Sequence, residues 1–199
     1  VSRRRAYGIA AASWGFINYS EAPGNLLVQS TYGQPLFSLG REGYPLGRGE
    51  SLFLVHADGY AMSEYAQSGE TVWTRGGVTP VTAFDAAAGR RALGFLDGTL
   101  DLKDPEGEWE AVPLPESRTE VVYDLAFSAD GETLLVRGGL EPQTLSLFDL
   151  TEGAFGLRWS REVGSPSIRS GALAVLSPTT IAVELSGEVQ LRSREDGRV

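Results

Sequence analysis

The feature that most constrains this chain is an internal echo at an interval near 40 residues. Asp58-Gly59 returns as Asp97-Gly98, 39 positions later, and Phe84-Asp85-Ala86-Ala87 returns as Tyr123-Asp124-Leu125-Ala126 at the same interval. Gly69-Glu70 followed by Trp73 returns as Gly107-Glu108 followed by Trp109, 38 and 36 positions on, and Gly153 to Trp159 repeats the theme with a longer insert. A chain that repeats at a fixed interval builds the same supersecondary unit several times. Each copy hides its apolar face against the next.

The content of one interval says what the unit is. Short runs rich in Val, Leu, Phe and Tyr alternate with turn residues every 8–12 positions: Leu52-Phe53-Leu54-Val55, Ala92-Leu93-Gly94-Phe95, Thr133-Leu134-Leu135-Val136 and Thr180-Ile181-Ala182-Val183. Asp-Gly, Ser-Gly and Glu-Gly pairs stand between them, and Gly supplies the positive φ that tight hairpin turns need. Few stretches show sustained helical periodicity, and the Ala-rich run from Ala83 to Ala92 is interrupted by Gly89. Four short strands in a repeat of about 40 residues is the pattern of a β-propeller blade. The 199 residues hold about five such repeats, so the chain is expected to be all-β, a propeller of five four-stranded blades. The expected repeats cover 1–40, 41–78, 79–116, 117–164 and 165–199 of a single domain, cut from a longer chain. Val81–Ala87, Val121–Ser128 and Ala172–Ser177 are expected innermost, with Ala86, Ala126 and Ala174 small where strands crowd the axis. Counting leaves the last blade one strand short, at Ala172–Ser177, Thr180–Glu184 and Glu188–Ser193. The first blade, Gly15–Tyr19, Leu26–Thr31 and Pro35–Leu39, is preceded by a spare strand near Tyr7–Ser13. Pairing of Tyr7–Ser13 with Glu188–Ser193 is therefore expected to join the N- and C-terminal strands and remove two open edges.

Composition excludes several classes. With no Cys there is no disulfide framework, thiolate zinc site or cysteine nucleophile, and the single histidine, His56, rules out a histidine triad and most zinc or non-haem iron sites. No GxGxxG or Walker loop is present, so neither cofactor nor metal is expected. The formal net charge is −9, and the bases do not cluster beyond Arg3-Arg4-Arg5 and Arg90-Arg91, which argues against a nucleic-acid partner. Sixteen of the 17 bases are Arg, a bias ascribed to genome composition. The opening Arg3-Arg4-Arg5, an apolar run from Ala6 to Ile17 and Ser20-Glu21-Ala22 read either as the remnant of a secretory signal or anchor or, more strongly, as the first strands of the fold. The first alternative leans the location toward the periplasm or a membrane anchor and allows a tether outside this chain.

Within this frame Leu125-Ala126-Phe127-Ser128-Ala129-Asp130-Gly131-Glu132-Thr133-Leu134-Leu135-Val136 resembles the inner-strand and turn signature of WD40-like and YVTN-type propeller repeats. Leu147-Phe148-Asp149-Leu150 resembles the end of the next strand, with Phe148 where such repeats carry Trp. Asp97-Gly98-Thr99-Leu100 with Gly107-Glu108-Trp109, and Gly59 with Gly69-Glu70-Thr71-Val72-Trp73, resemble quinoprotein-type (PQQ-like) blades. The likeness covers about 50–199 well and 1–49 poorly. It implies a bacterial repeat protein, and such propellers mostly bind proteins or act as scaffolds. The full His and Trp-Asp pairing of WD repeats is missing, so their hydrogen-bond tetrad is not implied here.

Asp85 and Asp124 are the candidate ligand-binding residues, at matching positions of two inner strands near the mouth of a central channel. Carboxylates there could hold a cation or act as the paired acids of a glycosidase, although such acids more often cap turns or line a wet channel. Asp97, Asp101, Asp104 and Glu106 lack calcium-loop spacing and read as solvated turn acids. Trp73, Trp109 and Trp159 recur at blade ends and read as packing residues, with a sugar-stacking platform as the alternative. Trp14 is the odd one and is assigned to the closure. His56 reads as a structural histidine. Ser51, Ser128 and Ser177 lack a GxSxG elbow. The expected function is therefore a non-enzymatic binding or scaffolding propeller with a protein partner on one face. A carbohydrate-binding or glycosidase-like five-bladed propeller is the alternative.

Overall fold

The computed structural model describes the chain except residues 1–7, 21–23, 25, 164–171 and 186. The Arg3-Arg4-Arg5 segment, Tyr7 and Glu21-Ala22 lie outside the described residues. The described chain is made of strands and turns, and no helix in it is long and apolar enough to cross a membrane.

The strands form five antiparallel sheets, each a meander in chain order. The first contains β1 (Gly8–Ala12), β2 (Gly15–Tyr19), β3 (Leu26–Ser30) and β4 (Pro35–Leu39). The second contains β5 (Gly43–Arg48), β6 (Ser51–His56), β7 (Ala61–Tyr65) and β8 (Thr71–Gly76). The third contains β9 (Val81–Ala87), β10 (Arg90–Phe95), β11 (Leu100–Lys103) and β12 (Trp109–Val112). The fourth contains β13 (Val122–Phe127), β14 (Thr133–Gly138), β15 (Thr144–Thr151) and β16 (Ala154–Glu162). The fifth contains β17 (Leu173–Val175), β18 (Thr180–Leu185) and β19 (Glu188–Ser193). The chain divides into two compact units, Val1–Val81 and Thr82–Val199.

The repeated Asp-Gly pairs are repeated turns. The Asp97 carboxylate accepts the Thr99 N–H at 3.0 Å while Gly98 holds φ at 82°. Asp58 does the same for the Tyr60 N–H at 3.0 Å, and Asp130 for the Glu132 N–H at 3.0 Å. An aspartate that satisfies the backbone two residues on, beside a glycine free to take positive φ, reverses the chain with little strain. This is why the echo in the sequence marks a structural period.

In the first unit, sheets one and two share a buried layer of Ile17, Val28 and Leu39 against Leu52, Leu54 and Tyr65. Gly47 permits the approach: a Cβ on it would lie 1.7 Å from the Ala11 carbonyl oxygen. In the second unit, sheet four is covered on both faces. Leu134, Val136 and Phe148 pack toward sheet three, whereas Leu135, Leu147 and Trp159 pack toward Ile181 and Val183 of sheet five. That double burial explains the unbroken apolar run in β14, where a one-sided sheet would alternate. Ala126 is buried on β13, the edge strand of its sheet, paired with Leu135.

Residues 8–12 of the segment expected at the closure form strand β1, and Tyr7 lies outside the described residues. β1 hydrogen-bonds β2 through the register Gly8↔Tyr19 to Ala12↔Gly15, and so completes the first sheet. The fifth sheet has three strands among the described residues, with β19 paired to β18. The two-residue hairpin at Ser13-Trp14 forms the β1–β2 pairing at a small cost in chain entropy. Trp14 packs within the first unit. Its indole N–H donates to the Glu50 carbonyl at 2.7 Å, and its ring packs on Phe37 with centroids 6.3 Å apart.

Candidate functional site

The two aspartates singled out in the sequence are both tied into the fold of the second unit. Asp85, on β9, accepts the Phe127 N–H of β13 at 2.7 Å and so clips sheet three to sheet four. Asp124, on β13, forms an ion pair with Arg137 on β14, whose side chain is entirely buried. Arg137 also donates to the Glu184 carbonyl at 3.4 Å. A buried guanidinium needs a carboxylate nearby, because taking an uncompensated charge out of water costs several kcal/mol. Both carboxylates therefore tie one strand to another, Asp85 across two sheets and Asp124 within one.

The other residues noted in the sequence are placed just as locally. Of the four acids near the β10–β11 and β11–β12 turns, Asp97 caps its own turn, Asp101 is buried on β11, and Asp104 binds Arg90 at 2.8 Å. Among the described residues no three of His, Cys, Asp and Glu come together as a metal site. Trp73 donates to Glu64 at 2.5 Å and stacks obliquely on Phe53, and Trp159 donates to the Arg194 carbonyl at 2.8 Å inside a core layer. His56 bonds the buried Ser63 hydroxyl at 2.8 Å, which in turn bonds Thr74 at 2.8 Å. Burial, reinforced by the positive charge of Arg41, lowers the His56 pKa from its usual value. This chain of hydroxyls crosses three strands of sheet two and reads as a sheet-locking network. Hydrogen bonds from the Ser128 hydroxyl and the Glu132 N–H likewise hold the Asp130 carboxyl below the usual carboxylate range.

A larger concave feature of the second unit lies elsewhere, at one end of sheets three and four. It is a cleft of about 360 Å³ between the Asp97-Gly98 turn, the connector from Val112 to Val121 and the start of the β14–β15 loop at Gly139. Its floor is apolar, made by the buried Leu100 and Val121 and the half-buried Leu114. Pro113 and Pro115 form part of the wall, and the ionisable groups lining it are two carboxylates, Asp97 and Glu120. The volume is at the lower end of the range for ligand pockets.

The connector is held in place by a dense set of bonds. The Ser117 hydroxyl donates to the Pro142 carbonyl at 3.0 Å and accepts the Leu140 and Glu141 N–H groups at 3.1 and 3.2 Å. Leu140 N–H reaches the Thr119 carbonyl at 3.0 Å, and Gly139 N–H the Val121 carbonyl at 2.8 Å. Gly139 sits at φ 69°, where a Cβ would fall 2.6 Å from the Pro142 carbonyl oxygen. The cleft walls are thus pre-formed, and little ordering would accompany binding. Sequence reading passed over this site: Pro113-Leu114-Pro115 has no motif, and Asp97 was noticed only as a turn residue.

A β-propeller family model matches residues 2–157, more than three-quarters of the chain. The chain belongs to that β-propeller family. The sheet-by-sheet meander is what the family fold requires, and solved structures share it at identities that speak to fold alone. BamB from Moraxella catarrhalis matches with a TM-score of 0.62 and 14% identity, covering 94% of this chain and 57% of BamB. KlAtg21, solved in complex with the coiled coil of AgAtg16, matches with a TM-score of 0.71 and 11% identity, covering 98% of this chain and 69% of the other. A protein of Treponema pallidum (strain Nichols), described as uncharacterized, is 26% identical over 145 residues. That match takes in 72% of this chain and 38% of the treponemal protein, so this propeller chain spans well under half the length of that relative.

Proposed function

We propose that this chain is a non-enzymatic binding propeller that holds a protein partner on the loop face of its second unit. The observation that carries the reading is the cleft itself: the Asp97-Gly98 turn, packed on Glu120, and two loop segments hydrogen-bonded to each other leave an apolar floor open between them. Apolar surface kept open on a rigid frame is what recognition sites are built from. The likeness to KlAtg21, captured with a coiled coil, supports a protein as the occupant of a propeller face. In this reading Asp85 clips sheet three to sheet four, Asp124 balances the buried Arg137, and the partner is met by the loops.

The test is affinity capture with the full chain, followed by reconstitution of the captured protein and this chain from purified components. A saturable complex at defined stoichiometry is the expected result. If no reconstituted pair forms, and the chain turns over or binds a sugar in a glycan array instead, the reading fails.

A further inference from the structure

The cleft carries a statement about what it recognises. Its two ionisable lining groups are both acids, and they stand on the same side. Gly98 and Glu120 are so close that a Cβ on Gly98 would fall 2.6 Å from the Glu120 Cβ, which sets Glu120 against the turn that bears Asp97. Glu120 is exposed and Asp97 half-buried. Arg118, the base nearest in sequence, is turned to Glu141 at 3.1 Å and does not line the cleft. Pro113, Leu114 and Pro115 line the same cleft. A proline wall offers no N–H donors, so it favours apolar contact, while the acidic rim favours a cation.

We propose that this cleft docks an extended peptide segment in which one arginine or lysine is flanked by apolar residues. The cationic head meets Asp97 and Glu120, and the apolar neighbours cover Leu114 and the two prolines. A cavity of about 360 Å³ accommodates one long side chain and its immediate neighbours rather than a whole helix. The assignment rests on the protein-binding reading above and names the chemistry of the segment that reading requires.

The probe is the peptide Ac-Val-Leu-Arg-Leu-Val-amide, titrated into the isotope-labelled full chain and followed by amide chemical shifts. The expected result is saturable shifts centred on Gly98, Thr99, Leu114 and Gly139. Replacing the peptide's arginine by neutral citrulline should weaken binding at least tenfold. Arginine amide alone should move the same signals far more weakly than the pentapeptide. Glu120→Gln should cost several-fold in affinity, and Ala111→Trp, which fills the cleft from an exposed position on β12, should abolish binding while leaving the remaining spectrum intact. Shifts centred elsewhere, equal binding of the citrulline peptide, or equal affinity for arginine amide would each overturn the assignment. The two proposals fail separately. A reconstituted partner complex that survives Ala111→Trp sinks the site and spares the binding function; peptide binding without any reconstituted complex sinks the function.

Discussion

Removing the Asp124 carboxylate tests the internal ion pair most directly. Asp124→Ala leaves the Arg137 guanidinium buried at 0% exposure without its anionic partner. Breaking a buried pair from one side costs about 3–5 kcal/mol, mostly as the desolvation of the charge left behind. In a chain of this size each kcal/mol moves the thermal midpoint by about 2–4 °C, so the expected drop is on the order of 6–20 °C. Arg137 also reaches the Glu184 carbonyl, so the loosening should spread from sheet four to sheet five. The double variant Asp124→Ala/Arg137→Met buries no charge at all and should recover most of the loss. Thermal and urea melts give the magnitude, and hydrogen exchange of β14 and β18 amides gives the place. A single variant within 1 °C of the parent, or a double variant no better than the single, would show that the pair does not carry the packing of these sheets.

Other consequences follow from individual contacts. Asp85→Ala leaves the buried Phe127 N–H without the 2.7 Å acceptor, and about 1–3 kcal/mol of stability should be lost, with faster exchange at Phe127. Gly94→Ala would set a Cβ 2.3 Å from Val122 and should overpack β10 against β13 by about 1–3 kcal/mol, read from the urea midpoint. His56 has a folded pKa below its usual value, so the unfolded chain binds its proton more tightly. The stability it confers is complete above about pH 6.5 and is lost as the pH falls through the folded value; His56→Gln should flatten that part of the profile. A chain beginning at Gly15 loses β1 and the Trp14 anchor on Glu50, so exchange protection should collapse in the first unit and persist in β13–β15.

The fold was legible because its punctuation is chemical. Asp58, Asp97 and Asp130 each bond the N–H two residues on, beside a glycine at positive φ, so a spacing of turns in the sequence is a spacing of hairpins in the molecule. The strand run Val81–Ala87 could be read for the same reason, since its end is marked by Gly89. The first 40 residues were harder to read. They carry no Asp-Gly turn, and β1 looked spare because the turn at Ser13-Trp14 has no glycine within it. Trp14 takes that role by anchoring the turn from outside, bonding a carbonyl 36 residues away. A contact of that range leaves no trace in local spacing.

The site was hidden for a related reason. Asp85 and Asp124 stood out because the repeat places them at equivalent positions, yet equivalence in a repeat is a requirement of construction before it is one of function. Asp85 bonds the following inner strand, whereas Asp124 pairs with Arg137 inside its own sheet, and both serve the framework. Binding surfaces arise where copies differ. The Val112 to Val121 connector is such a place: its Pro113-Leu114-Pro115 run and Ser117 have no counterpart at the shorter join from Gly76 to Val81, which carries the single proline Pro80. That comparison also yields a prediction. Replacing residues 113–120 by a short glycine-serine linker should erase the cleft and every peptide-induced shift. Sheets three and four should keep their own pairings, because the Asp85 clip and the Leu134–Val136–Phe148 layer lie outside the exchanged segment. Hydrogen exchange of β10, β13 and β14 checks the second half of the statement, and titration with the arginine pentapeptide checks the first. If the sheets unfold together with the cleft, the connector is a structural strap, and the separation drawn here between repeated framework and variable site is wrong.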